Sequence, residues 1–146
     1  MSLGLYLHIP YCFSKCRYCD FYSHPGERGV PEAYVDALLR ELSRFAPEAP
    51  LQPDTLYFGG GTPSLLRPEQ AKRLIDAARP MPGAEITLEA NPETVTEESL
   101  AGFREAGVNR ISFGVQSARD TQLRTLGRPH TAKRSEERRV GKECRS

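Results

Sequence analysis

Asp54-Thr55-Leu56-Tyr57-Phe58-Gly59-Gly60-Gly61-Thr62-Pro63 reads as a strand that runs straight into a glycine turn, and Pro68 follows at a position suited to opening a helix. Ala71, Leu74, Ile75 and Ala78 then recur at helical spacing, so this stretch is a strand followed by a helix with one apolar face. The chain repeats that unit. Upstream, Leu5, Leu7 and Ile9 alternate with Tyr6 and His8, which puts three aliphatic side chains on one face of a strand and two polar rings on the other. Pro10 ends that strand. A Gly/Pro-rich turn is expected over Pro25 to Gly29, and Pro31 starts a helix whose apolar stripe is Val35, Leu38, Leu39, Leu42 and Phe45.

Downstream, past a proline-rich connector from Pro47 to Pro53, the pattern continues. Glu85-Ile86-Thr87-Leu88-Glu89 is a third strand stopped by Pro92. The next helix is capped either by Thr94, with Glu97 completing a capping box, or by Thr96; it packs through Leu100 and Phe103 and ends at Gly107. Arg110 to Gln116 is a fourth strand, and Asp120 to Leu126 begins a fourth helix. Strands alternating with helices at this spacing predict parallel βα units, either a doubly wound sheet or a (β/α) barrel. Periodicity does not choose between them.

Bulk properties narrow the class. The 146 residues suffice for one domain with a modest core, and 38% hydrophobic with 27% charged residues is a globular composition. A formal charge of +1 gives no reason to expect nucleic acid or an anionic membrane as partner. No apolar run approaches the roughly 20 residues of a membrane helix, and Met1 to Gly4 lacks a basic secretory start, so a cytoplasmic location is expected. In that reducing setting clustered cysteines point to metal or redox chemistry rather than to disulfides. Residues 134–146 are unlike the rest: they carry five basic and three acidic residues, with Val140 as the single aliphatic one. Without them, 20 basic and 19 acidic residues become 15 and 16, a net charge of −1. The expected division is therefore a core over 1–133 and a solvated, disordered tail over 134–146. The tail resembles the in-frame translation of a sequencing adapter, so Cys144 is not counted as a ligand.

Chemistry concentrates on Cys12, Cys16 and Cys19, spaced Cys-x3-Cys-x2-Cys directly after the first strand. Three thiolates from one loop can hold three corners of a 4Fe-4S cube and leave one iron open to another ligand. With His24 they could instead close a four-ligand zinc site, which would make the chain a zinc-binding module. Gly60 and Gly61 let backbone approach a polar ligand, and Thr62 adds a hydroxyl. Glu89, on the face opposite Ile86 and Leu88, could accept hydrogen bonds from a vicinal diol such as a ribose. Gln116 holds the matching position on the fourth strand. All lie at strand C-terminal ends, where α/β folds place their sites.

Five runs carry a family resemblance: Tyr6 to Cys12, Cys16 to Phe21, Tyr57 to Pro63, Glu89 to Pro92, and Gly107 to Ser117. In order and content they resemble radical S-adenosylmethionine (SAM) proteins of the oxygen-independent coproporphyrinogen III oxidase-like family, in particular its haem chaperone (HemW) branch. The resemblance covers about residues 3–133. It implies a partial (β/α)6 barrel of which about four βα units are present, so that the chain is an N-terminal fragment of a longer protein. By position it implies that Cys12, Cys16 and Cys19 ligate a 4Fe-4S cluster whose open iron is chelated by SAM. Gly60, Gly61 and Thr62 would meet the methionyl amino end, Glu89 and Gln116 the ribose, and Arg128 the carboxylate, with Tyr6 and Tyr18 lining the pocket. For Arg128 a helix C-terminal cation, and for Tyr6 core packing, are the plainer readings.

In such proteins the reduced cluster cleaves SAM to methionine and a 5′-deoxyadenosyl radical, while the protein holds and shields the cofactor. No catalytic side chain is assigned. Phe21 stands where the oxidase branch resembles a further cysteine, so the resemblance favours a haem chaperone that passes haem to client proteins and takes electrons from a donor to the cluster. The alternative is an oxidase that decarboxylates coproporphyrinogen III in porphyrin biosynthesis. The absent strands would leave apolar faces and a sheet edge uncovered, which predicts poor solubility for these residues alone.

Overall fold

The computed structural model describes residues 2–12, 24–25, 29–45 and 50–114. Four parallel strands form its sheet: β1 (Gly4–Ile9), β4 (Thr55–Gly60), β5 (Glu85–Ala90) and β6 (Arg110–Phe113). A separate two-stranded pair joins β2 (Tyr11–Cys12) to β3 (His24–Pro25). Helix α1 (Glu32–Phe45) links β3 to β4, α2 (Pro68–Ala78) links β4 to β5, and α3 (Glu97–Ala106) links β5 to β6.

Strand order in the sheet is β1-β4-β5-β6, the order of the chain, with every neighbouring pair parallel. All three helices cover the same face. Val35 and Leu42 of α1, Leu74 and Ile75 of α2, and Phe103 of α3 share one buried cluster with Leu7, Ile9, Leu56, Phe58, Ile86 and Leu88. A doubly wound sheet reverses its strand order and carries helices on both faces; a sheet that adds strands in sequence under helices on one side is an arc of a (β/α) barrel. The order and the single helical layer therefore settle what periodicity left open.

Local chemistry explains the boundaries. Alpha2 starts with Pro68 at its first position, and the Arg67 amide donates to Gln70 Oε1 at 2.8 Å. Gln70 is buried, yet its amide donates to the Val30 carbonyl and to Glu32, each at 2.9 Å, which ties the start of α2 to the start of α1. Arg73 reinforces that seam through Glu32 and Asp36. Of the two cap candidates for α3, Thr96 is the one used: its hydroxyl accepts from the Ser99 amide at 3.0 Å, while Ser99 Oγ accepts from the Thr96 amide at 2.9 Å. Thr94 instead closes a 3-10 turn, donating to the Asn91 carbonyl. Alpha3 ends at Gly107, whose φ of 120° lies in the region glycine tolerates.

Two expectations change. Phe45 is 74% exposed rather than part of the α1 core stripe. At 3.6 residues per turn it sits about 70° from the direction shared by Val35 and Leu42, off the buried edge. Pro25, expected in a turn, pairs with Cys12 in β3, where it can accept a hydrogen bond but not donate one. The start of the fourth helix and residues 134–146 lie outside the described residues.

Candidate cofactor site

The site is built where the C-terminal ends of β1, β4 and β5 meet. Pro10 breaks β1, and the chain steps into β2, whose Tyr11 and Cys12 pair with His24 and Pro25. That pairing brings together the two chain segments that flank residues 13–23, the stretch of sequence containing Cys16 and Cys19. Two backbone hydrogen bonds fasten its first arm to the glycine turn: the Gly61 amide donates to the Ile9 carbonyl at 2.8 Å, and the Thr62 amide to the Tyr11 carbonyl at 2.6 Å. On the helical side the Tyr11 ring meets Tyr34 of α1 edge-on at 5.4 Å, and the Tyr34 hydroxyl donates to the His8 carbonyl at 2.6 Å. The first cysteine of the triplet is thus joined to the sheet through the residue before it.

Glycine is required here for close approach of protein to protein. A Cβ on Gly61 would lie 2.6 Å from the Tyr11 carbonyl oxygen, and one on Gly59 2.7 Å from the Tyr6 ring. Gly60 adopts a φ of 117°, and a Cβ there would also meet the His8 imidazole at 2.7 Å. That turn aims the Gly60 amide at Glu89, whose Oε1 accepts it at 3.1 Å. The amides of Gly60, Gly61 and Thr62 are therefore all engaged within the protein. What these residues can offer an ammonium group, a pure donor, is carbonyl oxygen. Thr62 is 2% exposed, and its hydroxyl accepts from Asn91 Nδ2 at 3.1 Å. Asn91 and Thr94, with the Ser64 hydroxyl bonded to Thr94, link the turn after β5 to the turn after β4.

On the face of the sheet away from the helices, parallel register lines up Tyr6, Tyr57, Thr87 and Arg110. Glu89 and Ser112 form the next row toward the C-terminal ends. The Tyr57 hydroxyl donates to Glu89 Oε2 at 2.7 Å, so each carboxylate oxygen holds one donor. Burial, then the hydrogen bond and charge of Glu89, push the Tyr57 phenol up to about 12. Tyr6 stacks on Tyr57 with centroids 6.0 Å apart and rings 14° from parallel, and its hydroxyl meets His8 Nδ1 at 3.1 Å. Partial burial, with Glu89 second, raises the Tyr6 phenol as well, although the side chain is 53% exposed.

Of the residues singled out from sequence, Tyr6, Gly60, Gly61, Thr62 and Glu89 gather at this corner together with the backbone of Cys12. Cys16, Cys19, Tyr18, Gln116 and Arg128 lie outside the described residues. Among the described residues no group of three or more His, Cys, Asp or Glu is placed to hold a metal ion. The donor set nevertheless fits the implied cofactors. Three cysteines spaced Cys-x3-Cys-x2-Cys suit an iron-sulfur cluster with one open iron, and a carboxylate with one donor from the described residues on each oxygen has a lone pair on each to suit a diol. Sequence reading missed Tyr57, Gly59 and Asn91. Tyr57 precedes Gly60 by three positions, yet its meeting with Glu89 depends on which strands are neighbours and in what register.

Comparison with known proteins agrees with this geometry. The chain is 44% identical over 153 residues to the heme chaperone HemW of Escherichia coli K12, an alignment covering 99% of the chain and 40% of that protein. It is 41% identical to the mitochondrial radical S-adenosyl methionine domain-containing protein 1 of Bos taurus, over 89% of the chain and 30% of that protein. The chain thus spans two fifths or less of the length of these curated relatives. Among solved structures, the coproporphyrinogen III oxidase HemN of E. coli, a radical SAM enzyme, superposes with a TM-score of 0.86 at 29% identity. That match covers 97% of the chain and 34% of HemN. The family model of the radical SAM superfamily matches residues 6–138, and this chain belongs to that superfamily.

Proposed function

We propose that the chain is the cofactor-binding core of a haem chaperone, in which Cys12, Cys16 and Cys19 hold a 4Fe-4S cluster and SAM occupies the corner between the cysteine loop, the glycine turn and Glu89. The observation that carries this reading is the pair of backbone hydrogen bonds from Gly61 and Thr62 to Ile9 and Tyr11. They join the start of the cysteine loop to the strand ends where Glu89 stands. In this reading the cluster with SAM supplies one-electron chemistry. The chain's own residues bind and orient: carbonyls of the glycine turn accept the methionyl ammonium, and Glu89 with Gln116 accepts the ribose hydroxyls. Arg128 pairs with the carboxylate, and Tyr6 and Tyr18 shield the pocket.

Haem binding, delivery to haem-requiring client proteins, an electron donor to the cluster and a cytoplasmic setting are proposed from the relatives' names and from Phe21. No described helix is long and apolar enough to cross a membrane. The resemblance to HemN makes decarboxylation of coproporphyrinogen III the competing reading. Anaerobic incubation of the intact protein with haem and, separately, with coproporphyrinogen III distinguishes the two. Retained haem without tetrapyrrole turnover supports the chaperone; formation of protoporphyrinogen overturns it. In the same preparation Cys12→Ala should strip iron and sulfide from the protein, and unchanged content would refute the ligand assignment.

A further inference from the structure

Among the described residues, both hydrogen-bond donors to the Glu89 carboxylate come from the neighbouring strand β4. Gly60 donates its amide to Oε1 at 3.1 Å, and Tyr57, three residues earlier, donates its phenol to Oε2 at 2.7 Å. We propose that Tyr57 is a positioning residue of the ribose subsite, fixing the plane of the Glu89 carboxylate so that its remaining lone pairs meet a vicinal diol. This inference rests on the reading of Glu89 as the ribose acceptor.

A carboxylate is an acceptor with about four lone-pair directions on its two oxygens. One donor on each oxygen leaves one direction on each, the arrangement two adjacent hydroxyls require. The terminal torsion of a glutamate is otherwise broad, and a single amide on one oxygen does not fix the carboxylate plane. The phenol is itself held in place. The Tyr6 ring stacks on it at 6.0 Å, and Gly59 gives both rings room, since a Cβ there would lie 2.7 Å from Tyr6 and 3.0 Å from Tyr57. With its ionisation pushed up to about 12, the phenol remains a donor throughout the neutral range. A phenylalanine would fill the same space, so Tyr57→Phe removes this hydrogen bond while keeping the packing.

The test is a binding cycle on the intact protein reconstituted anaerobically with its cluster. Equilibrium affinity for SAM is measured in the wild type, Tyr57→Phe, Glu89→Gln and the double variant, with iron content and thermal midpoint checked in each. Tyr57→Phe should weaken SAM binding about 3- to 10-fold, the scale of one charge-assisted hydrogen bond acting through a positioned group. In the Glu89→Gln background the same change should alter affinity less than about twofold, because an amide has a single acceptor oxygen and the carboxylate that the phenol orients is gone. Equal weakening in both backgrounds would show that the hydroxyl acts independently of Glu89 and would overturn the proposal. Weakening by Glu89→Gln but not by Tyr57→Phe would overturn the positioning role and leave the ribose reading standing. No weakening by Glu89→Gln would remove the ribose reading and this inference together.

Discussion

Gly61→Ala tests the join between the cysteine loop and the sheet most directly. The added Cβ would lie 2.6 Å from the Tyr11 carbonyl oxygen and 2.9 Å from its carbonyl carbon, both backbone atoms that no rotamer change can move. Reaching ordinary contact at 3.4 Å requires the two segments to part by about 0.8 Å. That displacement stretches the Thr62 amide to Tyr11 carbonyl bond from 2.6 Å and the Gly61 amide to Ile9 carbonyl bond from 2.8 Å toward the limit of useful geometry. Two backbone hydrogen bonds are worth about 1–3 kcal/mol net, and crowding left after partial relaxation adds on the order of 1–2 kcal/mol. Restricting the unfolded chain returns about 0.4–1 kcal/mol. The net cost is about 2–3 kcal/mol, roughly a 30- to 140-fold shift toward the opened arm. Amide hydrogen exchange of the intact protein reads this at the donors themselves, since Gly61 and Thr62 should lose protection by that factor. Gly29→Ala is the control, because a Cβ there meets nothing within 4 Å. If Thr62 is protected equally in both variants, the close approach at Gly61 does not hold the arm.

The other predictions concern a cap and a phenol. Thr96→Ala should cost about 1 kcal/mol by removing the reciprocal cap of α3, and an unchanged urea midpoint would eliminate Thr96 as the cap. Tyr57, raised to about 12 against an ordinary value of 10, keeps its proton in the folded chain after the unfolded chain has lost it. Its contribution to stability is therefore complete below about pH 10 and is lost as pH rises through about 12. Tyr57→Phe should flatten that part of the stability–pH profile, whereas parallel profiles for the two proteins would contradict the reading.

Sequence by itself determined the inventory. Pro10, Pro31, Pro68 and Gly107 mark element ends through backbone chemistry that is local, so β1, α2 and the C-terminal end of α3 follow from the residues that form them. The spacing of Cys12, Cys16 and Cys19 is local as well, and it motivates the proposal of three ligands that Cys12→Ala tests. Tertiary structure decided everything that depends on neighbours. Strand order and the single helical layer made the sheet an arc of a barrel, because burial on one face of a strand does not reveal which strand lies beside it. Phe45 fell off the core because a 3.6-residue turn carries it around the helix, and only the position of the sheet tells which direction is inward. At the glycine turn, only the fold shows that Tyr11, His8 and Tyr6 stand where side chains on Gly61, Gly60 and Gly59 would lie, so that protein meets protein there. Tyr57 became the partner of Glu89 only when parallel register set the two on one face of adjacent strands, since hydrogen bonds between residues 32 apart depend on packing and not on sequence order.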